Sequence, residues 1–289
     1  MAIANIRGVN HFYEWIRTED GKEKPVMVFV HGWGGSARYW RSTAQALASD
    51  YDCLLYDLRG FGRSKLEVKN ESGYELETYA EELNLLLDSL NLEKVYLHAH
   101  SMGGSIAAFF LTRYGRRIEK AVIACNGIFE YNKLAFDSFH FFGGYVVKLR
   151  YGWYLKVPFA DRMFMSRFLS RPISKSDRVA FLEDFLVADY DAALGTIYTS
   201  VSKQAVETMP KEFANIEVPT LLISGEKDQI IPASMGKQAA SLNPQYLDYV
   251  EIPNTGHFPM LEAADLYLQN VKSFLARDTS PLSNVSSCK

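Results

Sequence analysis

Between Lys94 and Ser105 the chain reads K-V-Y-L-H-A-H-S-M-G-G-S, five residues of strand-like alternation that run into a turn of small residues. Ile106 to Tyr114 then carries a helical pattern of apolar residues. A serine at such a strand-to-helix turn is pushed clear of the backbone surface, with the first amides of the helix aimed at the same spot. Ser101 therefore reads as a nucleophile with an anion site beside it. A serine hydroxyl is a poor nucleophile at neutral pH. It needs a base within hydrogen-bond reach, which an imidazole with a pKa near ~6.5 can supply. A carboxylate must then hold that imidazole in one tautomer and stabilise the imidazolium.

Six histidines compete for the role of base: His11, His31, His98, His100, His140 and His257. His257 stands in N-T-G-H-F-P-M-L-E, just past the last strand-like run, and Asp228 stands in G-E-K-D-Q-I-I-P, just past the one before it. In an open parallel sheet the loops at the carboxyl ends of the strands gather on one edge and form the ligand crevice. Ser101, Asp228 and His257 all fall at such ends. His98 and His100 form an H-x-H, but no D-H follows and no carboxylate cluster accompanies them, so no metal site is expected. His31 is expected to be a hydrogen-bonded structural residue.

The elements that must position these residues follow from hydrophobic patterning. Residues 5 to 18 alternate loosely and Asp20-Gly21 marks a turn, which predicts an opening antiparallel hairpin at a sheet edge. The runs Pro25–Val30, Tyr51–Asp57, Ile118–Cys125, Pro219–Ser224 and Tyr246–Ile252 are apolar and short, as strands buried on both faces are. Arg38–Ala48, Glu75–Leu90, Ala233–Leu242 and Ala263–Leu275 have helical periodicity. Strand and helix alternate three times before residue 126, which predicts a parallel sheet with crossover helices.

From residue 129 to 168 the composition shifts, with thirteen aromatics in this stretch. From Lys148 to Arg178 eight basic residues face two acidic ones. The strand pattern resumes at Pro219, so residues 130–212 read as an insertion between core segments 1–129 and 213–277. Residues 278–289 form a polar tail expected to be disordered. The aromatics fit three uses: packing the insertion onto the core, walling an apolar pocket, or contacting a membrane or lipid surface, where aromatic and basic side chains occur together. No run reaches about 18 apolar residues, so no segment is expected to span a bilayer.

Composition bounds the remaining classes. The 289 residues are 48% apolar and 22% charged, ordinary for a globular protein. A net charge of -3 and a pI near 6.1 give no global attraction to nucleic acid. Cys53, Cys125 and Cys288 are too few and too widely spaced for a disulfide framework or a zinc site. The N-terminus shows no signal-peptide pattern, so a reducing, cytoplasmic setting is expected. The sequon at Asn284 is then taken as chance.

The stretch around Ser101 resembles the nucleophile elbow of the α/β-hydrolase superfamily, with Ala99 in place of the first glycine of G-x-S-x-G. The resemblance extends over nearly the whole chain. His31-Gly32-Trp33-Gly34-Gly35 is similar to the oxyanion loop of that family, which implies the Trp33 N–H as one oxyanion donor beside that of Met102. Asp57–Ser64, D-L-R-G-F-G-R-S, resembles a glycine-bearing loop of the branch that holds esterases, dehalogenases and epoxide hydrolases. It is read as structural, with Asp57 and Arg59 as an internal pair. Some relatives place the acid after the preceding strand, where Glu130 is the nearest carboxylate.

The resemblance implies an α/β-hydrolase fold: a mostly parallel central sheet flanked by helices, with a helical cap insertion. It also implies a serine hydrolase of the carboxylesterase or lipase kind, with Ser101, His257 and Asp228 catalytic and no cofactor or metal required. Ser101 stands where dehalogenases and epoxide hydrolases carry aspartate. The expected substrate is a small-molecule ester with an apolar acyl or alcohol part. Thioesterase, lactonase or carbon–carbon bond hydrolase activity stays open, as does a non-catalytic ligand receptor of the same fold. The partners expected are that substrate and a membrane or lipid surface met through the cap.

Overall fold

The computed structural model describes residues 2–19, 21–66, 72–129 and 143–277. They form an eight-stranded sheet of β1 (Ala2–Ile6), β2 (Val9–Ile16), β3 (Val26–Val30), β4 (Asp52–Tyr56), β5 (Val95–His100), β6 (Ile118–Ala124), β7 (Thr220–Gly225) and β8 (Leu247–Ile252). Their spatial order is β1-β2-β4-β3-β5-β6-β7-β8. β1, β2 and β4 pair antiparallel in turn, and every pairing from β4 to β8 is parallel.

The apolar runs become strands because helices cover both faces. One face packs beneath α2 (Leu76–Ser89) and α3 (Met102–Tyr114), with Val28, Val30, Leu54, Leu97 and Ile123 buried. The other packs beneath α1 (Arg41–Leu47) and the last helix, Ala264–Leu275, around Phe29, Leu55, Val122 and Ile223. The segment expected as one helix over 38–48 divides into a 3-10 turn, Ala37–Trp40, capped by the Ser36 hydroxyl, and then α1.

The opening hairpin is present, but its turn is Arg7-Gly8 and not Asp20-Gly21. Both turn residues have positive φ, 52° and 80°, the geometry of a two-residue hairpin turn whose twist matches that of the strands. Asp20 lies outside the described residues, and Gly21 leads into β3.

Between β6 and β7 the described chain is helical. Residues 143–148 are followed by a 3-10 turn, Gly152–Lys156, and then by α4 (Ala160–Met165), α5 (Lys175–Val187), α6 (Tyr190–Ser200) and α7 (Lys203–Ala214). Ser174, Asp189 and Ser202 cap the last three by accepting backbone amides, which satisfies donors a helix start leaves unpaired. This region is bound to the loops above the sheet. Asp184 accepts from Ser36 Oγ (2.7 Å) and Arg38 Nε (2.8 Å), Trp33 Nε1 donates to Ala193 O (2.9 Å), and Asp189 N donates to Gly60 O (2.7 Å). Residues 130–142, which include Glu130 and His140, lie outside the described residues, as do the tail 278–289, Asn284 and Cys288. After β7 come α8 (Ala233–Ser241), α9 (Pro259–Glu262) and the last helix, α10 (Ala264–Leu275). No helix among the described residues is long and apolar enough to cross a membrane.

Candidate active site

Ser101 is the residue between β5 and α3, and its backbone sits at φ 53°, ψ -126°. Such a conformation costs a non-glycine residue roughly 1–3 kcal/mol and persists only where the surroundings enforce it. Here the Ser101 amide donates to Ala124 O (2.9 Å), and its carbonyl accepts from Gly104 N (2.7 Å) and Asn126 Nδ2 (2.8 Å). The small residues of the motif are sterically required. A Cβ on Gly103 would lie 2.5 Å from His31 O, and one on Gly104 would lie 2.7 Å from Asn126 Cβ. Ala99 is fully buried in β5 between β3 and β6, so its methyl group fits where the motif more often has glycine.

The three residues singled out in the sequence converge. His257 Nε2 lies 3.0 Å from Ser101 Oγ, and His257 Nδ1 lies 2.7 Å from Asp228 Oδ2. Asp228 Oδ1 also accepts the amides of Ile230 (2.8 Å) and Ile231 (3.0 Å), which fixes the carboxylate in the loop after β7. The network therefore assigns Nδ1–H to the carboxylate and leaves Nε2 to accept the serine proton. His257 and Asp228 are both buried, while Ser101 is partly exposed. This arrangement can take a proton from Ser101 and hold the resulting imidazolium against a carboxylate.

The Gly32 backbone runs beside the elbow, and a Cβ there would lie 3.0 Å from Ser101 Cβ. This brings the Trp33 segment next to the serine. Met102 is the first residue of α3, where the amide has no intrahelical acceptor.

A second hydrogen-bonded chain, not visible in the sequence, joins the two sides of the site. The Gly32 amide donates to Tyr39 Oη (2.6 Å), Tyr39 Oη donates to His100 Nδ1 (2.9 Å), and His100 Nε2 donates to the His257 carbonyl (2.7 Å). Burial, reinforced by the nearby His257 ring, holds His100 well below the ordinary imidazole range, so it is neutral as the chain requires. Glu262 makes a third tie. Its Oε2 accepts from Ser170 N (2.7 Å), Arg171 N (2.8 Å) and Gly256 N (3.0 Å), and its Oε1 accepts from Phe258 N (3.0 Å). The His257 amide itself donates to Phe168 O (2.7 Å). A carboxylate five residues after a loop histidine was the available signal for Glu262. For Tyr39 there was none, since it reads as one more apolar residue of its helix.

His31 Nε2 accepts the Leu58 amide (2.9 Å) from full burial, as expected of a structural histidine. The Asp57–Arg59 pair does not form. Asp57 is bound by Arg63 Nε (2.7 Å) and the Ala37 amide (2.9 Å), whereas Arg59 is bound by Glu82 Oε1 (2.7 Å) and Gly73 O (2.7 Å). The loop carries the two side chains to opposite faces of the sheet, Asp57 toward the α1 side and Arg59 toward α2. His98 is buried against Tyr267 and stacked on Phe29, away from the serine. Among the described residues, His100, Cys125 and His257 bring potential metal-ligand atoms within 4.8 Å of one another. All four imidazole nitrogens of that group are already engaged by protein, and burial, with the Asp228 charge next, pushes the Cys125 thiol well up. Those donors do not fit a metal ion.

Aromatic rings from the helical region wall the site. Phe168 lies 6.0 Å from the His257 ring, Phe181 packs on Tyr39 and Phe258, and Phe164 and Trp33 both pack on Phe185.

Comparison with known proteins agrees with this architecture. The chain is similar to an AB hydrolase superfamily protein, YisY, of Bacillus subtilis, 28% identical over 82% of this chain and 86% of that protein. It is similar to the non-heme chloroperoxidase CPO-A1 of Kitasatospora aureofaciens, 26% identical over 82% and 85%. It is also similar to Lipase 1 of Psychrobacter immobilis, 24% identical over 86% and 76%. Among solved structures, a bromoperoxidase from Bacillus anthracis superimposes with a TM-score of 0.79 at 26% identity, covering 96% of this chain and 99% of that one. A family model described as alpha/beta hydrolase fold matches residues 25–264. With that match spanning β3 to the start of α10, and with the serine, acid and histidine borne on loops at the same edge of the sheet, the chain belongs to the alpha/beta hydrolase fold family.

Proposed function

We propose that this hydrolase cleaves carboxylic esters with an apolar acyl or alcohol part through an acyl-enzyme formed on Ser101. The observation that carries the reading is the unbroken line from Asp228 through His257 to Ser101, at 2.7 Å and 3.0 Å. His257 Nε2 takes the proton as Ser101 Oγ attacks the ester carbonyl. The tetrahedral oxyanion turns toward the amides of Met102 and Trp33, each such donor being worth roughly 3–4 kcal/mol in a comparable enzyme. Collapse breaks the bond to the alcohol, which leaves with the proton returned by His257. Water then attacks the acyl-enzyme, gives its proton to Nε2, and releases the acid and Ser101. Asp228 keeps Nδ1–H in place throughout and stabilises each imidazolium.

The preference for an apolar ester rests on the phenylalanine wall beside His257 and gains support from the lipase relative. A graded series of p-nitrophenyl esters tests it. Turnover that rises with acyl length and vanishes in Ser101→Ala supports the reading. Folded wild-type protein that neither turns over the series nor reacts with a fluorophosphonate probe refutes it, and leaves a ligand receptor of the same fold.

A further inference from the structure

The helical region between β6 and β7 has two apolar sides, and the catalytic reading uses only one. Its inner side, with Phe164, Phe168, Phe181 and Phe185, faces the site. Its outer side, between residues 145 and 163, exposes Tyr145, Leu149, Trp153, Leu155, Phe159 and Met163, each by at least 46%, with Phe159 and Met163 reaching 66% and 72%. Most large hydrophobic side chains exposed on the described surface fall in this one stretch of chain. Exposed apolar residues scattered singly are ordinary, but this many in one stretch of chain point to an interaction surface.

Two features of the patch identify what it meets. The first is charge. Lys148, Lys156, Arg162 and Arg167 are exposed among the aromatics, in a chain whose net charge is -3. The one acidic residue in 143–167, Asp161, is tied to Arg178 at 2.8 Å, so its charge is compensated within the protein. The second is residue type and presentation. Tyr151, Trp153 and Tyr154 form a ring cluster, Trp153 and Tyr154 having centroids 4.4 Å apart, and the Arg162 guanidinium lies over the Phe159 ring at 5.6 Å. Phe159 itself has a left-handed backbone, φ 62°, unusual for a bulky residue, and its ring is exposed at the start of α4. Tryptophan and tyrosine with lysine and arginine is the composition of protein surfaces that sit in the headgroup layer of a bilayer.

We propose that the outer side of this region, from Tyr145 to Arg167, docks on an anionic lipid surface. The aromatic and aliphatic side chains enter the headgroup boundary, while the four cations meet lipid phosphates. A second copy of this chain is a poor occupant, because a symmetric contact would set the same cations against one another. Docking also has a spatial consequence for the site. Met163 and Phe164 are consecutive on α4: Met163 faces outward, and Phe164 packs in the ring cluster that reaches Phe168, 6.0 Å from His257. A docked protein therefore holds the apolar wall of its active site directly above the lipid.

The test is sedimentation of the full chain carrying Ser101→Ala, so that lipid is not consumed and the outcome is independent of the hydrolytic reading. The vesicles are phosphatidylcholine alone, or phosphatidylcholine with roughly one third phosphatidylglycerol. Binding to the anionic vesicles is expected to be at least tenfold stronger, since each cation near such a surface contributes about a fivefold gain. It is expected to fall between about 0.02 M and about 0.5 M salt as screening sets in. Replacing Trp153, Phe159 and Met163 together by serine is expected to weaken binding at least tenfold in a protein that calorimetry shows still folded, because all three are more than half exposed. The proposal is overturned if the protein stays in the supernatant at low salt, binds both vesicle types alike, or binds undiminished in the triple variant. It is equally overturned if the protein is a lipid-independent dimer that the triple substitution dissociates.

Discussion

Glu262→Gln is an isosteric change whose cost can be worked out from the geometry around it. Four backbone amides converge on this carboxylate: Ser170 and Arg171 from the helical region, Gly256 and Phe258 from the two sides of His257. A glutamine can turn its oxygen to the three donors now served by Oε2, but its amide nitrogen then faces the Phe258 N–H. That buried donor loses its acceptor, at about 1–3 kcal/mol, and the remaining three bonds drop from charge-assisted to neutral, at roughly 1 kcal/mol each. The sum is about 4–6 kcal/mol. At roughly 2–4 °C per kcal/mol for a chain of this size, the melting temperature falls by on the order of 10–20 °C. The same bonds hold His257, whose amide is bound to Phe168 two residues before Ser170. Displacing the imidazole by about 1 Å costs up to ~100-fold in rate. Calorimetry with steady-state ester hydrolysis at a temperature where the variant is folded measures both effects. A melting temperature within about 2 °C of wild type refutes the energetic argument. A large loss of stability with full kcat in the folded fraction refutes the positioning argument.

Tyr39→Phe removes the hydroxyl shared by the Gly32 amide and His100, leaving two buried polar groups unpaired at about 1–3 kcal/mol each. Lowered kcat at constant KM is expected, and unchanged kcat would show that the chain plays no part in catalysis. Asp228→Asn can keep its bonds to Ile230 and Ile231 through the amide oxygen while favouring the wrong imidazole tautomer. A folded protein with kcat reduced by about 10⁴ is expected, as in the corresponding serine protease change, and a loss below tenfold contradicts the role given to Asp228. Stability should fall on acidification. Burial lowers His11 to about 4 and His98 to about 3, and lowers His31 and His100 as well, so below pH 6.5 the unfolded chain takes up protons that the native state refuses. Between pH 6.5 and pH 4 His11 and His98 together account for at most roughly 7 kcal/mol, at about 1.4 kcal/mol per tenfold change in proton affinity. Glu82, raised to about 7 by burial, opposes this by roughly 3 kcal/mol, since its native-state protonation stabilises the fold as pH falls from 7 toward 4.5. Urea midpoints that stay flat from pH 7 to pH 4 would contradict the balance.

Much of the core was legible because its determinants are local. The buried strands β3, β4, β6 and β7 announce themselves as short apolar runs, since a strand covered on both faces needs no polar alternation. The turn at Ser101 requires small neighbours whatever the rest of the chain does, and Gly103 and Gly104 have no room for a side chain. Ser101, Asp228 and His257 could be named from their places after strands, because parallel strands bring their carboxyl ends to one edge.

The sequence by itself determined the residue types that could react and the strand ends that would carry them. Which polar groups pair was decided only by the tertiary structure. Arg59 is two residues from Asp57 yet binds Glu82, twenty-three residues away, because a turning loop sends neighbours to opposite faces of a sheet. The partners of Tyr39 and Glu262 are set only where β5 and the loop of His257 close on them. The aromatic stretch shows the same limit, with Phe164 and Phe168 lining the site while Trp153, Phe159 and Met163 face out. Composition records how much apolar surface a segment carries, but the direction of each side chain follows from helix phase and docking angle, which are properties of the packed whole.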